Sequence, residues 1–189
     1  MTCRRLLLTG ALAGLAAACA PPPQQPAAVG GPFSLVDQNG RPANEQILEG
    51  KWTALYFGFT YCPDACPATL QSLAEAKREM GRKGDRLQVI LLSVDPERDT
   101  PALLKTYLDN AAFPPNTIGL TGSPEQVAAA AKAYKVYYRK VGEGEDYTVD
   151  HASMVFLMDP KGRFSKIIGH GTPPAEMARI IAEAMGGRA

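Results

Sequence analysis

The sequence is poor in the features that mark several broad classes of protein. Its four cysteines in 189 residues are too few for a disulfide-held scaffold. Its 20 lysines and arginines nearly balance 19 acidic residues, and no long basic block occurs, which argues against a nucleic-acid-binding surface. The apolar run from Leu6 to Ala18 is shorter than the roughly 20 residues that span a bilayer as a helix. The remaining possibility is a globular protein of ordinary composition.

The N-terminus has the pattern of an export signal. Arg4 and Arg5 precede the apolar run, and small residues precede Cys19, so residues 1–18 are predicted to be a signal peptide. Leu15-Ala-Ala-Ala-Cys19 also resembles the lipobox of bacterial lipoproteins, whose cysteine becomes the lipidated first residue. The resemblance implies a lipid on Cys19 and a place at the periplasmic face of the bacterial cell envelope. An ordinary cleavable signal is the alternative.

The rest of the chain divides into a tether and one domain. Residues 19–32 are rich in Pro, Gln, Ala and Gly, a composition that predicts a flexible tether without a core. Residues 33–189 contain no internal repeat and no second change of composition. We therefore predict a single folded domain over this range.

Strands alternate with helices in the predicted domain. The apolar runs Trp52–Phe59 and Leu87–Val94 are typical of buried strands, and Pro67–Met80 has the pattern of an amphipathic helix. Further helices are predicted at 101–111, 124–134 and 174–185, and further strands at 154–158 and 164–168. This order predicts an α/β protein with a thioredoxin-like fold, in which helices flank a central mixed sheet.

Two cysteines lie between the first predicted strand and the first long helix. Cys62-Pro-Asp-Ala-Cys66 is followed by Pro67, which suits a first helical turn and places Cys66 near the helix N-cap. The positive end of a helix dipole stabilises thiolates, which bind metals and attack disulfides. A structural disulfide is the plainer alternative, although a bridge this local adds little stability.

Histidine is scarce, with two residues in the chain. His151 lies just before a predicted strand and is a candidate ligand, whereas His170 stands in a Gly-His-Gly loop. The residue directly before Cys62 is Tyr61 rather than tryptophan, and no proline occurs between residues 124 and 160. Both absences argue against a dedicated thioredoxin-type oxidoreductase.

Paired carboxylates in Asp95-Pro-Glu-Arg-Asp99 suggest a second metal site. We favour a structural interpretation, in which Asp99 or Thr100 caps the helix that begins at Pro101 and Asp95-Pro96 ends a strand in a turn, with contact to a partner as the alternative. Asp64 is predicted to be exposed near the cysteines.

Tyr134, Tyr137 and Tyr138 form a cluster of aromatic residues, of the kind that usually packs when it lies next to a strand. They suit either a docking surface or ordinary packing.

Three motifs resemble the Sco/SenC family in order and spacing, over the chain from about Phe33 to its end. They are Phe59-Thr-Tyr-Cys-Pro-Asp-Ala-Cys-Pro67, Ser93-Val-Asp-Pro-Glu-Arg-Asp-Thr-Pro101, and Asp150-His151 before an apolar strand. The resemblance implies a thioredoxin-like fold and one copper ion bound by Cys62, Cys66 and His151. It also implies anchoring in the bacterial periplasm or the mitochondrial inner membrane.

The function that the resemblance implies is that of a copper chaperone rather than an enzyme. Its partners would be the copper-bearing subunit of cytochrome c oxidase, where it builds the dinuclear centre, and a copper donor. Two soft thiolates suit Cu(I), an imidazole allows Cu(II), and zinc can use the same three groups. A thiol–disulfide oxidoreductase for the oxidase cysteines and a copper or redox sensor are the alternatives.

Overall fold

Strands and helices alternate along the chain, as the hydrophobic pattern predicts. The computed structural model describes residues 29–144 and 146–186. Within them the strands are β1 (Ser34–Asp37), β2 (Pro42–Asn44), β3 (Trp52–Gly58), β4 (Leu87–Ser93), β5 (Ile118–Thr121), β6 (Tyr138–Val141), β7 (Thr148–His151), β8 (Met154–Met158) and β9 (Phe164–Gly169). The α-helices are α1 (Ala65–Glu79), α2 (Arg82–Asp85), α3 (Pro101–Leu108), α4 (Pro124–Ala133) and α5 (Pro174–Ala184), and a 3₁₀ helix covers Glu45–Leu48.

A mixed sheet forms the centre of the domain, with the strand order β2-β1-β5-β4-β3-β8-β9. Strands β3, β4 and β5 are parallel neighbours, while β1, β8 and β9 pair antiparallel with theirs. The central pair β3 and β4 is almost entirely buried, because helices cover the sheet, and so both strands are near-continuous apolar runs. This arrangement confirms the predicted thioredoxin-like class.

Aromatic rings join the sheet to the helix α4. The Phe57 ring lies 5.6 Å from Tyr134 and 5.8 Å from Phe156, in tilted and edge-to-face arrangements that favour aromatic contacts. Tyr134 is 1% exposed, so it belongs to the core. Of the three tyrosines considered above, Tyr134 therefore packs, Tyr138 is partly buried, and Tyr137 is 58% exposed.

Helix α1 begins earlier than the sequence predicts. Its N-cap is Asp64, an exposed residue, so Cys66 lies inside the first turn rather than at the cap. Pro67 is tolerated there because the first helical N–H groups have no partner within the helix. Leu70 and Leu73 face the core as predicted, and both are fully buried.

The Asp95–Asp99 segment ends in a capped helix, which agrees with the structural interpretation. Thr100 is the N-cap of α3, since its side chain accepts a hydrogen bond from the Leu103 N–H at 3.2 Å, and Pro101 is the first helical residue. Of the two residues proposed as the cap, the structure uses Thr100, and Asp99 faces inward instead.

A separate two-stranded hairpin, β6–β7, was not predicted. It pairs Tyr138 with His151 and Val141 with Thr148, outside the large sheet. Its residues are mostly exposed and polar, so no apolar alternation marks it in the sequence. Because His151 is the last residue of β7, the position of the candidate ligand depends on this hairpin.

The predicted signal at residues 1–18 and Cys19 lie outside the described residues, as does the tether up to residue 28. The described chain packs onto the domain from its first residues, because Val29 contacts the core and the Gly30 N–H donates to the Ala133 carbonyl at 3.0 Å. No helix among the described residues has the length and apolar character needed to cross a membrane.

Candidate metal centre

Both cysteines lie where the chain leaves the carboxyl end of β3 and enters α1. The Cys62 N–H donates to the Phe59 carbonyl at 3.3 Å, which bends the chain into a turn. The Cys66 N–H, in the first turn of α1, then donates to the Cys62 sulfur at 3.4 Å. Cys66 is buried and Cys62 is half-buried, and both are free thiols.

His151 reaches the cysteines from the end of β7. Its Nε2 lies 3.8 Å from the Cys66 sulfur, across 85 positions of sequence. The sulfur atoms of Cys62 and Cys66 and a ring nitrogen of His151 all lie within 4.8 Å of one another. The three residues named from the sequence therefore share one site, and no other such group of His, Cys, Asp or Glu occurs among the described residues.

The imidazole of His151 is held by packing. The rings of Phe59 and Tyr56 meet it edge-on at centroid distances of 5.7 and 6.2 Å. Its Nδ1 is buried and has no hydrogen-bond partner in the described part of the chain. Buried polar atoms are normally paired, so an unpaired Nδ1 is unusual, and the contact between Nε2 and the Cys66 sulfur is the polar contact of this ring among the described residues. Two thiols and an imidazole in contact are, however, a donor set that suits a soft or borderline metal ion.

Gly58, the last residue of β3, leaves room for the buried sulfur. A Cβ atom there would lie 2.7 Å from the Tyr56 ring, closer than real Cβ contacts, and 3.0 Å from the Cys66 sulfur, which is tighter than most. Any larger residue would therefore displace Cys66 or the ring that packs against His151. Glycine at this position is a condition for the close approach of α1 to the sheet.

Tyr56 contacts the buried cysteine from inside the core. Its hydroxyl donates to the Cys66 sulfur at 3.5 Å, and its ring is fully buried. Sequence reasoning did not identify Tyr56, Gly58 or Phe59 as parts of the site, because they continue the apolar run of β3. The signal in the sequence that could have identified them is their position shortly before the Cys-Pro-Asp-Ala-Cys motif.

The two thiols differ strongly in acidity. The hydrogen bond from the Cys66 thiol, followed by the backbone N–H groups of Cys66 and Asp64 and the charge of His151, lowers the pKa of Cys62 to about 5. The bond to Cys62 and burial raise the pKa of Cys66, so its proton stays in place. At neutral pH the metal-free pair is therefore one half-exposed thiolate and one buried thiol.

Asp99 binds the cysteine loop and does not form a second metal site. Its carboxylate accepts hydrogen bonds from the Thr60 N–H at 3.1 Å, the Thr60 hydroxyl at 2.5 Å and the Ser93 hydroxyl at 2.6 Å. Burial raises the pKa of Asp99, and the bonds from Ser93 and Thr60 oppose that shift. His170, which the sequence places in a loop, is exposed in the turn after β9.

The acidity of Cys62 gives the first prediction. In the reduced, metal-free protein, the rate of Cys62 alkylation by iodoacetamide should rise with pH around a midpoint of about 5 and be nearly constant above pH 7. Mass spectrometry of digested protein measures each cysteine separately, and Cys66 should react far more slowly. Cys66→Ser is the comparison variant. A Cys62 rate that continues to increase up to pH 9 would contradict the predicted thiolate.

Comparison with known proteins identifies one family that matches most of the chain. The SCO1/SenC family model matches residues 21–186. The mitochondrial SCO1 homolog 1 of Arabidopsis thaliana is 47% identical over 145 residues, which cover 76% of this chain and 43% of that protein. A SCO2-like protein of Rickettsia felis is 36% identical over 156 residues, covering 81% and 75%. The chain spans about half the length of the first mitochondrial relatives that it matches.

Solved structures that resemble this chain are of Sco proteins as well. Copper-bound ScoI of Bradyrhizobium japonicum is 43% identical, with a TM-score of 0.74 over 83% of this chain and 99% of that one. Copper-bound yeast Sco1 is 38% identical, with a TM-score of 0.77 over 86% and 91%. BsSco is described as a member of the Sco family of cytochrome c oxidase assembly proteins with a disulfide switch. It is 26% identical, with a TM-score of 0.66 over 86% and 95%. The chain therefore belongs to the SCO1/SenC family.

Proposed function

We propose that the chain binds one copper ion through Cys62, Cys66 and His151 and delivers it to the dinuclear copper centre of cytochrome c oxidase. The observation that carries the proposal is the convergence of the three ligand atoms within 4.8 Å. Two solved relatives contain copper, and a third is described as an oxidase assembly protein, which supports copper over zinc.

The donor set matches the chemistry of a copper carrier. Two thiolates suit Cu(I), and the addition of imidazole lets the site also hold Cu(II). Three protein ligands leave the ion accessible to a further donor from a partner. A partner cysteine can therefore enter before a carrier ligand leaves, so the ion need not pass free through water.

The two cysteines have different parts in such a transfer. Cys66 is fully buried and accepts a bond from Tyr56, so it is the ligand that leaves last. Cys62 is half-buried, and its low pKa makes its thiolate the weaker base. We infer that a partner thiolate replaces Cys62 first, because that ligand is the more accessible and the less basic.

Thiol–disulfide exchange is the second candidate function. The observation that favours it is the low pKa of Cys62, since a thiolate at neutral pH is the species that attacks disulfides. The same pair would reduce the oxidase cysteines before copper arrives, with Cys66 closing the Cys62–Cys66 disulfide. This reaction needs both cysteines and does not need His151.

We also propose that the chain is exported and anchored to the bacterial membrane by a lipid on Cys19. The support is the signal pattern of residues 1–18 and its small residues before the cysteine. The folded domain would then face the periplasm.

Metal titration tests the site. The wild-type protein should bind one equivalent of Cu(I) or Cu(II), and His151→Ala should lower the affinity for Cu(II) by more than about tenfold while the two thiolates keep Cu(I). His170→Ala is the matched control, because it removes an exposed histidine from the same domain. Competition with chelators measures each affinity. Absence of copper binding under reducing conditions, unchanged binding of both ions by His151→Ala, or preferential binding of zinc would contradict the proposed site.

A genetic experiment separates delivery from thiol reduction. In cells lacking the chain, neither Cys62→Ser nor His151→Ala should restore cytochrome c oxidase activity, because a complete site that holds both Cu(I) and Cu(II) needs both residues, whereas His170→Ala should restore it. Oxidase activity in membranes is the measurement, with equal amounts of each variant verified by immunoblot. Full restoration by His151→Ala would support the reductase instead, and full restoration by Cys62→Ser would contradict both functions.

The mass of the mature N-terminus tests the anchor. Mass spectrometry of the protein extracted from membranes should find Cys19 as the first residue, with the mass of a diacylglycerol on its sulfur. Its N-terminal amine should be either acylated or free. An unmodified N-terminus at another residue would refute lipidation of Cys19. Cys19→Ala should move the protein from the membrane fraction to the soluble fraction or leave its signal uncleaved.

A further inference from the structure

The hairpin that carries His151 has little support from the main sheet. Strands β6 and β7 pair with each other and with no strand of the large sheet. A two-stranded hairpin alone is at best marginally stable in water. The short link from His151 to β8 and the packing of its ring on Tyr56 and Phe59 hold one end of the hairpin, and side-chain contacts must hold the rest of it against the cysteine loop.

One cluster, formed by Asp95, Arg98 and Tyr147, supplies the main contacts. The Tyr147 hydroxyl donates to Asp95 Oδ1 at 2.5 Å, and Arg98 Nε donates to Asp95 Oδ2 at 2.6 Å. Arg98 Nη1 donates to the Tyr147 backbone carbonyl at 2.9 Å. Asp95 is 3% exposed and Tyr147 is 7% exposed, so water competes little for these bonds.

The guanidinium of Arg98 also lies between two aromatic rings. Its Cζ is 3.7 Å from the centre of the Tyr147 ring and 4.5 Å from the centre of the Tyr61 ring. Tyr147 precedes β7, which ends at His151, and Tyr61 directly precedes Cys62. One cation therefore contacts the histidine-bearing hairpin and the cysteine loop at the same time.

The other charged contacts of the β6–β7 hairpin are more exposed or longer. Lys140 lies 3.7 Å from the Tyr147 ring and pairs with Glu97 at 2.6 Å, but both charged side chains are about half exposed. Arg139 and Asp150 are 3.9 Å apart on the surface. Exposed pairs contribute little to stability, so the buried Arg98 cluster is the main tie.

We propose that Arg98 is a positioning residue that holds the His151 hairpin against the Cys62 loop and thereby determines the affinity of the site for Cu(II). The inference rests on the proposed copper binding. Cu(II) depends on the imidazole, so it is sensitive to the position of His151, whereas Cu(I) is retained by the two thiolates. Lysine cannot replace arginine here, because one ammonium cannot bond Asp95 and the Tyr147 carbonyl while stacking flat on two rings.

The metal-free protein provides the first test. In Arg98→Met and Arg98→Lys, the Ala152 N–H, which bonds the Tyr137 carbonyl at 3.0 Å, should exchange with solvent at least about tenfold faster than in the wild type. Arg163→Met is the control, since Arg163 also pairs with an aspartate on its own turn, Asp159, between β8 and β9. Unchanged exchange in both Arg98 variants would overturn the proposal.

Copper binding provides the second test. Arg98→Met should lower Cu(II) affinity by about 10- to 100-fold and change Cu(I) affinity by less than about threefold. Free imidazole should restore the Cu(II) spectrum of Arg98→Met and of His151→Ala, because the nitrogen ligand is displaced in the first variant and absent from the second, while both thiolates remain. Equal loss of both copper ions, or no rescue by imidazole, would show a general structural effect and refute the proposal.

A milder variant covers the case in which Arg98→Met does not fold. Tyr147→Phe removes the hydroxyl bond to Asp95 and keeps the ring under Arg98, so it should lower Cu(II) affinity less than Arg98→Met and again spare Cu(I). An unchanged Cu(II) affinity in Tyr147→Phe and Arg98→Lys together would overturn the inference. Absence of copper binding by the wild type would instead refute the proposed function, while the exchange experiment would still test the role of Arg98.

Discussion

The in-register parallel pairing of β3 and β4 is the constraint on which the site depends. Gly58 pairs with Ser93, and the Val94 N–H donates to the Gly58 carbonyl at 2.9 Å, so both strands end at the same edge of the sheet. The cysteine loop and the Asp95–Asp99 segment leave that edge side by side. Asp99 can therefore bond Thr60 directly, and a motif that is distant in sequence supports the cysteine loop.

Burial then divides the candidate site into two parts. Cys66 is enclosed by Gly58, Tyr56 and the first turn of α1, so its position follows from the packing of the core. Cys62 and His151 lie on segments outside the large sheet and are less buried, so their positions follow from local contacts: a backbone bond to Phe59 for Cys62, and the rings of Tyr56 and Phe59 for His151. Of the three candidate ligands, one is therefore placed by the core and two by their immediate neighbours.

The sequence predicts the parts of this architecture that follow from continuous burial. The apolar runs Trp52–Phe59 and Leu87–Val94 identify the central strands, and the cysteines between a strand and a helix identify the reactive edge. The contact of His151 with Cys66 was not evident from spacing, and family resemblance supplied it. The β6–β7 hairpin and the contact between Arg98 and Tyr147 were missed, because exposed polar strands and long-range stacking leave no periodic pattern.

The unpartnered Nδ1 of His151 bears on how strongly this ring could hold a metal ion. Histidines that hold resident metals usually donate their second ring N–H to a carboxylate or carbonyl, which orients the ring and strengthens the metal–nitrogen bond. Among the described residues no such acceptor contacts His151, and the edges of Phe59 and Tyr56 orient the ring instead. Packing against these rings orients the imidazole but does not strengthen a metal–nitrogen bond. An ion bound by this imidazole would meet a ring already oriented by packing but without the second hydrogen bond that strengthens a resident site, a feature that fits the carrier role proposed above.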